Sequence, residues 1–152
     1  MSSGESAATA GNGRPARRLA VLSCMDARLD PYAILGLEPG DAHVIRNAGG
    51  LATDDAIRSL ALSQHLLGTD TVILIQHTDC GMSKITDEDF AVQMEQATGR
   101  RPEWTAGAFS DLEMSVRESL RRLEQSPFLR HGSARGFIYE VETGELREVN
   151  SP

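Results

Sequence analysis

Cysteine is scarce in this chain: its 152 residues include two, Cys24 and Cys80. A disulfide-stapled secreted scaffold needs more, and a chain of this length buries a core without staples. Positive charge is also in short supply. Fifteen Lys and Arg stand against 22 Asp and Glu, for a formal net charge of −7 and no basic stripe, so nucleic acid is excluded as an expected partner. Long apolar runs are missing too. Nothing approaches the roughly 20 apolar residues of a membrane-spanning helix, and no membrane partner is expected. Arg14-Pro15-Ala16-Arg17-Arg18 before Leu19-Ala20-Val21-Leu22-Ser23-Cys24 imitates a lipoprotein leader. The imitation fails on length, because the run before Cys24, Leu19 to Ser23, is only five residues where a signal needs about seven or more. There is no internal repeat, phosphate-loop lysine or dinucleotide fingerprint. What remains, 40% hydrophobic and 24% charged residues, is the composition of one soluble domain, and thiols kept free for metal fit the cytoplasm.

Residues 1–13 are small and polar with a single charge, Glu5, and read as a disordered or partner-dependent tail, so that residues 1–18 form a flexible N-terminal segment and 19–152 the folded domain. Leu19 to Ser23 is a short apolar run that fits a buried strand. Asp30-Pro31 supplies an N-cap with proline in the first turn, and Gly36 ends that short helix. Ala42 to Arg46 reads as a second strand, followed by the turn Asn47-Ala48-Gly49-Gly50. Thr53-Asp54-Asp55 caps a helix carrying Ile57, Leu60, Ala61 and Leu67, with Gly68 at its stop. Thr71 to Ile75 is apolar on both faces, as a central parallel strand should be. Phe90, Met94 and Ala97 mark another helix, and Ser110-Asp111-Leu112-Glu113 is a capping box that opens one with Leu112, Val116, Leu120 and Leu123 along one face. These stripes are expected to be core. Gly136 to Val141, a turn at Glu142-Thr143-Gly144-Glu145, and Leu146 to Val149 complete a strand and hairpin. The pattern predicts an α/β fold: a mainly parallel β-sheet flanked by helices, with a C-terminal antiparallel strand or hairpin.

Both cysteines fall where strands end. Cys24 closes the first strand, and His77 and Cys80 follow the third. Ligands of open parallel sheets collect beyond the carboxyl ends of strands, so adjacency of those two strands would bring the three side chains together. Two thiolates and one imidazole are the ligand count of a catalytic zinc with one open position, whereas a structural zinc needs a fourth ligand. The plain alternative is that both cysteines are small buried hydrophobes.

Cys24-x-Asp26-x-Arg28 and His77-x-x-Cys80-Gly81, with Arg46-Asn47-Ala48-Gly49-Gly50 between them, closely resemble the beta-class carbonic anhydrases. Met25 and Thr78-Asp79 look most like the short prokaryotic subgroup of that family. The resemblance implies zinc on Cys24, His77 and Cys80, and reversible hydration of carbon dioxide to bicarbonate by a zinc-bound hydroxide. It also implies an Asp26–Arg28 pair beside the fourth position, and a homodimer or homotetramer with pockets at the subunit boundary. Asp26 would orient the nucleophile and Arg28 would hold Asp26, which if released could itself cap the metal. Without the cysteine beside them, the two would read as a surface ion pair. Gly49, Gly50 and Gly81 are expected to shape the substrate pocket. His43 stands where plant-type members carry a pocket phenylalanine, and would be a polar lining or proton-relay residue. Pro15 falls where those members place a glutamine. His65 and His131 read as satisfied structural residues, and Asp79 as either turn chemistry or part of the site.

Two rivals keep the same ligands: a carbonyl sulfide or carbon disulfide hydrolase, and a non-catalytic zinc or redox sensor. A nucleobase deaminase needs a glutamate two residues after its histidine and a Cys-x-x-Cys pair; here Asp79 takes that place and the cysteines are 56 residues apart. A cysteine phosphatase would need a longer loop between Cys24 and its arginine.

Overall fold

The computed structural model describes residues 12–150. Five strands, β1 (Leu19–Cys24), β2 (Ala42–Asn47), β3 (Thr71–His77), β4 (Ala134–Tyr139) and β5 (Leu146–Val149), form one sheet in the order β2-β1-β3-β4-β5. The pairs β1–β2, β1–β3 and β3–β4 are parallel, and β4–β5 is antiparallel. The chain steps from β1 to β2 on one side and then returns to place β3 on the other. The strand order therefore reverses at β1, and the crevice it opens lies at the carboxyl ends of β1 and β3.

Alternation along the strands divides the core between the two faces of the sheet. On one face Ala20, Leu22, Val72, Leu74 and Ile138 pack against α2 (Asp54–Leu67) and α4 (Leu112–Gln125) through Ala56, Leu60, Val116, Leu120 and Leu123. On the other, Val21, Ile75, Cys24 and Cys80 meet Leu29, Leu37 and the short helix α1 (Pro31–Leu35). The starts of α1 and α2 follow the expected signals, while α4 is capped by Asp111 rather than by the Ser110 of the expected capping box. Asp30 accepts from the backbone N–H groups of Tyr32 and Ala33. Thr53 accepts from Ala56 N–H and Asp111 from Met114 N–H. Gly136 lets α4 approach β4 closely: a Cβ there would stand 2.7 Å from Val116 Cγ1.

One expectation here is corrected. The Phe90, Met94 and Ala97 stripe is not core, because α3 (Asp87–Thr98) buries no residue fully. Phe90 packs instead on Trp104, with ring centroids 5.9 Å apart, and Ala97 is exposed. Helical periodicity reports an amphipathic face but not what covers it. Of the N-terminal segment 1–18, residues 1–11 lie outside the described residues, and several of the others hydrogen-bond to the body. Ala16 N–H donates to Gly40 C=O, Arg17 N–H to Asp41 C=O, and Arg14 Nη2 to Leu66 C=O.

Candidate metal centre

β1 and β3 are neighbours, and their last residues, Cys24 and His77, form one buried cluster with Cys80 in the turn after β3. One potential ligand atom from each lies within 4.8 Å of the others; among the described residues this is the group that could hold a metal ion. His77 Nδ1 is 2.7 Å from Thr78 C=O, which sets the tautomer: Nδ1–H donates, and Nε2 keeps its lone pair free. His77 Nε2 is fully buried and has no hydrogen-bond partner. A buried acceptor without a donor is costly, and a cation between the two thiols would satisfy it.

The sulfur chemistry agrees. Burial raises the Cys24 thiol, but the His77 ring beside it and the backbone N–H groups of Asp26 and Gly49 outweigh that, so its pKa falls below the ordinary value. Burial pushes Cys80 up to about 11, with Met82 N–H opposing and the Cys24 charge adding to the rise. Two thiolates side by side repel, and a divalent cation is what holds both deprotonated. Two sulfurs and one imidazole nitrogen suit zinc and leave its fourth tetrahedral position open.

Asp26 and Arg28 flank the cluster. Arg28 Nε and Nη2 donate to Asp26 Oδ1 and Oδ2 at 3.0 and 2.8 Å, and Arg28 N–H donates to Oδ1 at 2.8 Å. The guanidinium first, and then that backbone N–H, hold the Asp26 carboxyl well below the usual carboxylate range. Asp26 Oδ2 stands 3.7 Å from His77 Nε2. Around them the loops are braced. Arg46 spans the turn after β1, donating to the carbonyls of Cys24, Asp26 and Leu29. Asn47 closes the following turn on Leu51 in both directions. Gly50 sits against the ends of β1 and β3 with φ +64, and a Cβ there would meet Ile75 O at 2.7 Å and Cys24 N at 2.8 Å.

Gly49 lies beside Leu51 and Met82, while Gly81 faces open space. His43 is not brought to the cluster within this chain. It pairs with Ala20 near the start of β2, four positions before the Cys24–Asn47 pair; its ring bonds Ser63 Oγ and Gly13 C=O. Within this chain, strand register puts His43 at the opposite end of β2 from the cluster. Sequence reasoning left Arg46 and Lys84 without roles, and Asp79 open between turn chemistry and the site. Asp79 has φ +56, and it accepts hydrogen bonds from both Arg28 and Lys84. The signal for Asp79 was its place between two ligands, but Lys84 carried none.

Comparison with known proteins bears on the same residues. The carbonic anhydrase family profile matches residues 19–108. Beta-carbonic anhydrase 1 of Mycobacterium tuberculosis is 54% identical over 136 residues, covering 89% of this chain and 83% of that protein. A carbon disulfide hydrolase of Acidithiobacillus thiooxidans is 40% identical over 152 aligned positions, covering 86% and 76%. The crystal structure of carbonic anhydrase from Streptococcus mutans superposes with a TM-score of 0.86 at 42% identity, covering 90% of this chain and 84% of that one. With the cysteines and histidine gathered as a zinc site requires, these matches mean that the chain belongs to the beta-carbonic anhydrases, lyases that use zinc.

Proposed function

We propose that Cys24, His77 and Cys80 are the zinc ligands of a centre for the reversible hydration of carbon dioxide to bicarbonate and a proton, with Asp26 and Arg28 as its orienting pair. The observation that carries the reading is the buried, unpartnered His77 Nε2 facing two thiols. When bound, zinc supplies a nucleophile by making water acidic enough to lose a proton near neutral pH. Asp26, ionised throughout the working range, acts only as an acceptor and orients a donor beside the cluster. Arg28 keeps that carboxylate in place.

Gly49 and Gly81 shape the approach by having no side chain to fill it, and Gly50 lets the ends of β1 and β3 close up beside the ligands. Carbon disulfide hydrolysis is the second reading, favoured by the 40% identical relative, and a zinc or redox sensor without turnover is a third. A stopped-flow carbon dioxide hydration assay, run with and without dipicolinate beside sulfide release from carbon disulfide and carbonyl sulfide, separates them. Chelator-sensitive hydration without sulfide release is expected. Sulfide release alone, or one bound zinc without turnover of any of these substrates, would overturn the reading.

The chain's setting belongs to the same proposal. It includes a homodimer or homotetramer, in which a second copy could cover exposed apolar side chains such as Met25, Trp104 and Phe128. No helix among the described residues is long and apolar enough to cross a membrane, and two unpaired cysteines favour the cytoplasm.

A further inference from the structure

Arg28 does not hold Asp26 alone. Its Nη1 donates to Asp79 Oδ2 at 3.0 Å, and its Nη2 donates to Asp79 C=O at 2.9 Å. The guanidinium is thus gripped on one edge by Asp26 and on the other by Asp79. The second carboxylate oxygen of Asp79 takes Lys84 Nζ at 2.6 Å. Lys84 is itself placed by the turn after Cys80, its N–H donating to Gly81 C=O. Charges therefore alternate along one row: Asp26, Arg28, Asp79, Lys84. Lys84 is the chain's sole lysine among fourteen arginines.

Local turn chemistry does not account for this. Asp79 is one of two non-glycine residues with positive φ among the described residues, and Asn or Gly would suit that conformation as well. Neither would offer Arg28 a charged partner. We propose that Asp79, pinned by Lys84, is a positioning residue that fixes Arg28 and thereby keeps Asp26 from closing on the metal. The inference rests on the zinc-site reading above and assigns what sets its Asp26–Arg28 pair. The Asp79–Lys84 pair is half exposed, so by itself it adds little to folding and is screened by salt. Its effect falls on the placement of Arg28 rather than on melting temperature.

The test uses cobalt-substituted protein, whose visible absorption reports the ligands of the metal, titrated with thiocyanate, which competes with Asp26 for the open position. Asp79→Asn should keep one metal per chain and weaken thiocyanate binding about three- to tenfold, the scale of one weakened charge-assisted hydrogen bond. Lys84→Gln should weaken it by a smaller factor, and Lys84→Arg should restore it. In an Asp26→Asn background, Asp79→Asn should have no further effect, because the competing carboxylate is gone. If Arg28→Ala weakens thiocyanate while Asp79→Asn and Lys84→Gln do not, the proposal is overturned and Asp79 is a turn residue. Loss of metal in Asp79→Asn with Lys84→Gln unchanged overturns it equally. If Arg28→Ala itself changes nothing, the Asp26–Arg28 reading falls first and takes this one with it.

Discussion

Gly50 and Gly36 make a controlled pair for asking how tightly the metal centre is built. Both have left-handed backbone, φ +64 and +66, but a Cβ at Gly36 meets nothing within 4 Å. At Gly50 it meets Ile75 O at 2.7 Å, Cys24 N at 2.8 Å and Ser23 C at 3.1 Å, all backbone atoms of the strand ends. Gly36→Ala therefore carries only the conformational term, about 1–2 kcal/mol. Gly50→Ala carries that term plus the strain of prising β1 from β3, about 1–3 kcal/mol more. For a domain of this size each kcal/mol lowers Tm by about 2–4 °C. Gly36→Ala should thus melt a few degrees low, and Gly50→Ala about 5–15 °C low. The displaced Cys24 backbone should also weaken zinc about 10- to 100-fold, as disturbed ligand support does. Thermal unfolding monitored by circular dichroism and a zinc competition titration read both quantities. Equal melting temperatures and equal zinc affinities in the two variants would refute the claim that Gly50 is where the strand ends lock together.

Cys80→Ala should lose zinc, measured by metal analysis, and lose stability with it, since binding at such a site is coupled to folding; a full complement of zinc in this variant would remove Cys80 from the ligand set. Asp26→Asn should retain zinc while carbon dioxide hydration falls about 10- to 100-fold, on the scale of lost support around a metal; unchanged turnover would show that Asp26 is only a surface ion-pair partner. The Glu124 carboxyl is held below its ordinary value by Gly132 N–H and then by His131. A depressed folded-state pKa contributes stability above the unfolded value, about 4.3, and loses it as pH falls through the folded one. Glu124→Gln should therefore flatten the acid limb of a stability–pH curve measured by urea unfolding, with little change at its foot.

Many short-range signals were legible in the sequence, though the Thr86 cap of α3 was not read and the cap of α4 was placed one residue early. Asp30, Thr53 and Asp111 cap their helices because a side-chain oxygen reaches an N–H two or three residues on, which needs no tertiary partner. The β-branched run at Thr71–Ile75 became the buried strand β3 for a similarly local reason. Cys24, His77 and Cys80 were legible as candidate ligands, because few residue types bind metal and their motifs are distinctive. Tertiary structure alone decided the rest. Strand order made β1 and β3 neighbours and so closed the ligand cluster, while register left His43 at the other end of β2. Packing left α3 without a covering layer although its periodicity matches a buried helix. The grip of Asp79 on Arg28 joins residues 51 positions apart. Local preference acts through a few neighbouring residues, whereas contacts of that span depend on how the whole sheet is wound.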